Sequence, residues 1–203
     1  MPFPVVPIVE GHGEVQAIGI LFRRLIAEFN LGIAVDVARP IRQSRGSLIK
    51  EGGIERAIQL AATECGEHGA VFVLIDSEGD CPRTLAPQLL ERAEKARPDR
   101  RVFLVLAHHE FEAWFLVAAS SLRGFGKLSH DIEDHPAPEE VQDCKGLLEQ
   151  WMPTTSKYSE TVDQAAFASA FNLELARRAP SFDKLYREFE RICRAAKAMQ
   201  EQT

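Results

Sequence analysis

The sequence VFVLIDSEGD spans Val71 to Asp80 and joins a short apolar run to an acidic turn. Its first five residues are all apolar, which is typical of a strand buried on both faces, as in a parallel sheet. Asp76, Glu78 and Asp80 follow at once, and the carboxyl ends of strands are where open α/β sheets bind ligands. Because alternate residues of an extended segment point the same way, we expect Asp76 and Glu78 to converge.

Two converging carboxylates repel each other unless a cation lies between them. Oxygen ligands suit Mg²⁺ or Mn²⁺, so the stretch predicts a divalent-metal site. The alternative is an ordinary acidic turn that Gly79 and Pro82 terminate.

Two further apolar runs also end in carboxylates. The first runs from Phe3 to Val9 and the last from Val102 to Ala107. The acids that follow them are Glu10, Glu14, Glu110 and Glu112. Chance explains acids at three strand ends less easily than at one, so we expect a shared metal site.

The order of the remaining patterns predicts the fold class. Apolar residues at three- and four-residue spacing indicate helices between the strands. The order β-α-β-α-β-α-β predicts an α/β fold with a roughly four-stranded, mainly parallel sheet flanked by helices. Since the strand pattern disappears after residue 119, we expect a core at 1–119 and a helical C-terminal extension at 120–203, packed on the core. Pro180 and Ser181 are predicted to cap its last helix.

Length and composition narrow the class of protein. The chain has 203 residues, enough for one full core. No apolar run approaches the roughly 20 residues of a membrane helix, and the first residues lack the features of a signal peptide. The four cysteines show no CxxC spacing, which argues against structural zinc and predicts reduced thiols in a cytoplasmic protein.

Charge is distributed unevenly along the chain. A net charge of −6 argues against wholesale nucleic-acid binding, although it allows a local basic surface beside an acidic site. One short polar segment, here called the basic segment, carries Arg39, Arg42, Arg45 and Lys50. It is either a solvated loop or a surface that holds a nucleic-acid backbone.

Two of these motifs resemble those of a Toprim domain: VEGHGE at Val9–Glu14 and LIDSEGD at Leu74–Asp80. Topoisomerases, bacterial primases and the overcoming-lysogenization-defect (OLD) nucleases share that fold. In it, a glutamate after the first strand and a later DxD motif bind one or two divalent cations that help make or break phosphodiester bonds. The resemblance implies that Glu10 is this glutamate and that Asp76 with Glu78 takes the DxD position.

The spacing of Glu10 and Glu14 is most similar to that in OLD nucleases, which use both glutamates. Those nucleases also recruit a later acid and a lysine. The resemblance offers Glu110 or Glu112 as the acid, and Lys145 or Lys157 as the lysine.

The chain departs from the DxD pattern at its second acid, where Glu78 replaces an aspartate. Either Glu78 is a ligand, or Asp80 substitutes for it, or the site is weak; we favour Glu78, which shares parity with Asp76. The segment EFEAWFL and the later Ser181–Leu185 are similar to a bacterial Toprim-like family of unknown function, the domain of unknown function 4276.

The resemblance implies metal-dependent phosphoryl transfer on nucleic acid, most simply by a Toprim-type nuclease with one or two Mg²⁺ or Mn²⁺ ions. A role in phage defence or DNA repair would follow. One alternative is a regulatory or binding module that acts only with a partner such as an ATPase, or a catalytically vestigial protein. Another is a hydrolase of other substrates that uses His12, His108 and His109 at a metal site.

Overall fold

A parallel sheet covered by helices on both faces forms the centre of the protein, whose computed structural model describes residues 2–202. The strands are β1 (Phe3–Val9), β2 (Val35–Val37), β3 (Ile41–Arg42), β4 (Ala70–Asp76) and β5 (Arg101–Ala107). They lie in the order β2-β1-β4-β5, and β3 pairs with β1 beyond the end of β2. The predicted α/β class and parallel sheet are confirmed, but the two-residue β3 makes five strands where four were expected.

The helices alternate with the strands and then continue alone. They are α1 (His12–Phe29), α2 (Arg45–Ile49), α3 (Gly53–Glu64), α4 (Pro82–Ala96), α5 (Ala113–Val117), α6 (Cys144–Gln150), α7 (Ala165–Ala170), α8 (Leu173–Ala176) and α9 (Pro180–Gln200). Two 3-10 turns (Ala119–Leu122, Pro138–Glu140) and a π-helical turn (Glu160–Gln164) complete the set. Within the described part of the chain, no helix has both the length and the apolar character that a membrane crossing requires.

The basic segment differs from the solvated loop that its composition allowed. It contains β3, whose Ile41 pairs with Ile8, and α2, whose Leu48 is fully buried. These two elements are too short to produce a recognisable periodicity, so no sequence pattern indicated them.

The proline in the middle of β1 causes little loss of hydrogen bonding in the sheet. Val5 is the last residue of β1 that pairs with β2, and Ile8 is the first that pairs with β3. Pro7 lies between them, opposite the break from one short strand to the next. Its missing N–H therefore has no strand acceptor to lose on that side.

Residues of the helical extension share a core with the sheet. The Phe189 ring of α9 stacks on Phe22 of α1, with ring centroids 4.0 Å apart, and lies 6.3 Å from Phe72 of β4. Ala179, not Ser181, is the N-cap of α9. Ser181 is instead buried in the first turn, where its hydroxyl accepts a hydrogen bond of 2.8 Å from the Trp114 indole.

Candidate functional site

The acids predicted at three strand ends come together at the carboxyl edge of the sheet. Glu10 follows β1, Asp76 ends β4, and Glu110 follows β5. They line a cleft of about 450 Å³ together with Glu78 and Lys145. We call this cavity the acidic cleft.

Glu14 is fixed at the mouth of the turn between β1 and α1. Its Oε2 atom accepts hydrogen bonds of 2.8 Å from the backbone N–H groups of both Glu10 and Gly11. Burial raises the pKa of the Glu14 carboxyl to about 7, although these two hydrogen bonds act in the opposite direction. The backbone therefore fixes the position of this carboxyl, while burial disfavours its negative charge unless a cation compensates it.

Asp76 and Glu112 are linked to the chain that follows β5. Asp76 Oδ1 accepts the backbone N–H of Phe111 at 2.9 Å, which ties that chain to the end of β4. Burial raises the pKa of Asp76 well above its usual range, and the charges of Glu14 and Glu112 raise it further. Burial also raises the pKa of Glu112 to about 7, although Glu112 accepts a hydrogen bond from the Tyr158 hydroxyl at 2.8 Å.

Two carboxylate oxygens lack any donor. Among residues 2–202, Glu10 Oε2 and Glu112 Oε2 are buried without a hydrogen-bond partner. Burial, and then the charge of Glu78, raises the pKa of Glu10 as well. A buried polar atom without a partner destabilises the fold. These acids therefore need a cation or bound protons to compensate their charge.

Lys145 is the cation that the fold places in the acidic cleft. Its Nζ lies 2.9 Å from Glu160 Oε1 and 3.4 Å from Glu110 Oε1. Burial lowers the pKa of Lys145, but the carboxylates of Glu112, Glu160 and Glu110 raise it above its usual value overall. Lys157, the other candidate lysine, is exposed, and its side chain forms no ion pair with any described residue.

Glu110 holds this lysine in place. Its Oε2 accepts the backbone N–H groups of Cys144 and Lys145, at 2.8 and 3.3 Å, in the first turn of α6. Its other oxygen faces the Lys145 ammonium group. Glu110 is thus already engaged by α6, whereas Glu112 keeps an oxygen free for a further ligand.

Asp76 and Glu78 both line the acidic cleft, but alternation along an extended strand is not what brings them there. The strand ends at Asp76, and Glu78 adopts a left-handed backbone conformation with φ +48°. Glu78 Oε2 instead forms an ion pair of 3.2 Å with Arg45, which also binds Asp80. The parity argument requires extended backbone, and the turn after β4 removes it.

Arg45 differs from the rest of the basic segment. Its guanidinium is buried and also donates to the backbone carbonyls of Asp76 and Ser77. Arg45 stabilises the acidic turn and does not face solvent, because the turn supplies both carboxylate and backbone carbonyl acceptors. Arg39, Arg42 and Lys50 are exposed, and their side chains have no ion pair in the described structure.

A segment of the extension, residues 158–164, closes over the start of α1 and contributes groups that the sequence did not point to. Tyr158 and Gln164 both contact Glu112, and Glu160 binds Lys145. Part of this segment is a π-helical turn, a rare form that is frequent at functional sites. Its residues are not adjacent in sequence to any of the acids, so no local pattern revealed them.

Gly13 allows this close approach. A Cβ atom at Gly13 would lie 2.3 Å from the Glu160 carbonyl oxygen and 2.2 Å from Gln164 Oε1. We therefore expect Gly13→Ala to lower the free energy of unfolding by about 2 kcal/mol, measured by urea denaturation. The matched control is Gly19→Ala in the same helix, whose new methyl meets only the flexible end of Arg23, at 3.3 Å. Wild-type stability in Gly13→Ala would contradict this packing.

The histidines proposed for the alternative metal site lie at different places. His108 and His109 stack on each other with ring centroids 4.6 Å apart. His12 is exposed in the first turn of α1 and has no hydrogen bond to either. Within residues 2–202, no three His, Cys, Asp or Glu side chains already form a metal-binding group. Metal binding stays a prediction.

One family matches this chain, over residues 9–190, and it is described as a domain of unknown function (DUF4276). The chain belongs to the DUF4276 family. This confirms the family that EFEAWFL and Ser181–Leu185 indicated. The DUF4276 match runs from the end of β1 into α9, and it therefore includes both the sheet and the helical extension. No curated protein and no solved structure matches the chain.

Proposed function

We propose that this protein is a divalent-metal-dependent phosphodiesterase that acts on nucleic acid, most simply a Toprim-type nuclease. One observation carries the proposal. At the ends of three strands, Glu10 and Asp76 line the acidic cleft and Glu14 and Glu112 are buried, and burial raises the pKa values of all four. Perturbed acids gathered in a cleft at the carboxyl edge of a parallel sheet are the pattern of a functional site.

The donor set fits a hard divalent cation. All the acids offer oxygen ligands, which Mg²⁺ and Mn²⁺ prefer. Glu10 Oε2 and Glu112 Oε2, the buried oxygens without donors, are the atoms that a cation would satisfy first. In this proposal Glu10, Asp76 and Glu78 hold one ion, and Glu14 with Glu112 helps to hold a second.

The cations, when bound, would polarise the phosphate and activate water. The chain itself supplies the remaining positive charge. Lys145 lies at the wall of the acidic cleft, where its ammonium group can neutralise charge that develops on a phosphate. Glu110 and Glu160 orient that ammonium group, and the Tyr158 hydroxyl orients Glu112.

The more specific assignment to Toprim rests on sequence motifs and their position. VEGHGE follows β1, LIDSEGD ends β4, and these strands are neighbours in the sheet. Because the two motifs are adjacent in space, Glu10 and Asp76 belong to one cleft, as the Toprim resemblance requires.

A second candidate is a module that is active only with a partner such as an ATPase, or a vestigial enzyme. The contacts of Arg45 favour it, because this buried guanidinium already forms ion pairs with both Glu78 and Asp80. For either acid to bind a metal ion, the turn after β4 would have to release Arg45. Partner binding is one way to do so.

Calorimetric titration of Mn²⁺ tests the proposal. We expect wild-type protein to bind Mn²⁺ and Glu10→Ala to bind it about a hundredfold more weakly, because this variant removes a central oxygen ligand. Glu64→Ala is the control, since Glu64 is an exposed acid at the end of α3.

Equal Mn²⁺ affinity in the wild type and Glu10→Ala would refute the metal site. Metal binding without cleavage of any single- or double-stranded DNA or RNA would favour the partner-dependent module. Cleavage by the isolated protein would exclude that module.

A further inference from the structure

A second cavity, of about 680 Å³, opens beside the acidic cleft. The two cavities share Glu78, Gly79 and His109 in their walls, so they are adjacent. We call the second cavity the lateral groove. Its other walls come from the first turn of α4, the first two turns of α9 and the chain after β5.

The lateral groove contains two cations without partners in the described structure, although three acids also line it. Arg83 of α4 and Lys184 of α9 line it, and neither side chain has an ion pair or hydrogen bond with any residue from 2 to 202. Each acid of the same walls has a polar partner, and Glu139 Oε2 lies 3.5 Å from His108 Nδ1. Arg45 binds Glu78 and Asp80, and Glu139 accepts the Ser181 backbone N–H at 2.7 Å.

The groove also offers flat aromatic surface. The imidazoles of His108 and His109 stack with an interplanar angle of 10°. Leu106, Pro82 and Pro180 line the groove as well and provide apolar contacts. Proteins that bind single-stranded nucleic acid combine such aromatic faces, histidine among them, with cations that contact the backbone, the role open to Arg83 and Lys184.

We propose that the lateral groove binds one strand of nucleic acid next to the acidic cleft, with a phosphate between Arg83 and Lys184 and a base against the histidine pair. This inference rests on the proposed function and specifies its substrate as single-stranded. The volume is that of a small-ligand pocket, which fits a short piece of one strand better than the wider duplex.

Cys81 provides a direct readout of the lateral groove. It lines the groove and is exposed, whereas Cys65, Cys144 and Cys193 are buried. The Thr84 side chain, and then backbone N–H groups, lower the pKa of the Cys81 thiol, which favours reaction with an alkylating agent. Iodoacetamide should therefore label Cys81 selectively in the folded protein.

The test measures the alkylation rate of Cys81 at low ionic strength, in EDTA, with and without a short single-stranded oligonucleotide. At ten times its Kd, the oligonucleotide should slow alkylation about tenfold, because only the free protein reacts. The EDTA prevents metal-dependent cleavage. The result therefore does not depend on whether the acidic cleft is active.

The variant pair R83E with K184E should lose this protection. Its matched control is K95E with K197E, which reverses one exposed lysine on each of the same two helices. Protection is expressed as the ratio of rates with and without oligonucleotide for each protein, because R83E itself changes the reactivity of Cys81.

Three results would overturn the inference: no protection of the wild type, protection that persists in R83E with K184E, or equal protection by a duplex or an acidic peptide. Protection combined with unchanged Mn²⁺ affinity in Glu10→Ala would refute the metal site but keep the groove. Absence of protection, combined with Mn²⁺ affinity that is lost in Glu10→Ala, would refute the groove and keep the metal site.

Discussion

Asp76→Asn should reduce metal-dependent cleavage of nucleic acid by about a thousandfold, the loss typical of removing one group that stabilises transition-state charge. Asparagine is nearly isosteric with aspartate, and its carbonyl oxygen can still accept the Phe111 N–H that Asp76 Oδ1 accepts now. The fold is therefore retained. What is lost is one negative charge and one oxygen ligand at the end of β4.

The comparison for Asp76→Asn is Asp36→Asn, an equivalent change at an exposed position of β2. Cleavage is measured as the initial rate at saturating Mg²⁺ or Mn²⁺, on the substrate that the wild type cuts best. Thermal unfolding confirms that both variants are folded. Full activity in Asp76→Asn would remove this residue from the site and leave the proposed nuclease without its central acid.

Glu112→Gln should stabilise the metal-free protein at pH 8 by about 3 kcal/mol and leave it unchanged near pH 4. The pKa of Glu112 is raised from 4.5 to about 7 in the folded protein, and a shift of this size corresponds to about 3 kcal/mol. Between these two values the unfolded chain releases its proton while the folded chain keeps it. Wild-type stability therefore falls as the pH rises through this window.

Glutamine avoids this loss because it has no charge to bury, and its carbonyl can still accept from Tyr158. Urea unfolding at several pH values measures the effect. Glu64→Gln, at an exposed position, should follow the wild type at every pH. Added Mn²⁺ should narrow the difference at pH 8, because it binds the folded wild type more tightly than the variant. A pH-independent difference would mean that burial does not disfavour the Glu112 charge.

The elements of the sheet could be predicted because each carries a local signal. The apolar runs ending at Val9, Ile75 and Ala107 are long enough to be recognised as buried strands. All three runs form buried strands in the structure. β3 and α2 were missed since two and five residues are too few to establish a period. Ser181 was predicted as a cap from its residue type, but a contact with Trp114 from another helix decided its position.

The positions of the acids in the chain were predictable from the same local signals. The contacts that each acid makes were not. Strand ends in a parallel sheet meet at one edge, so the positions of Glu10 and Asp76 follow from the order of elements. The sequence could not show that Glu78 forms an ion pair with Arg45, or that Glu110 binds α6. Both facts depend on residues more than 30 positions away in the chain.

The sequence by itself determined that acids from several strands would lie together at the carboxyl edge of a parallel sheet, because local hydrophobic patterns specify strands and their ends. Only the tertiary structure decided that Lys145 and not Lys157 enters the acidic cleft, that Tyr158 and Gln164 reach Glu112, and that Arg83 and Lys184 face one groove. These groups come from elements far apart in the chain. Their positions depend on how the helical extension packs against the sheet, which no local pattern encodes.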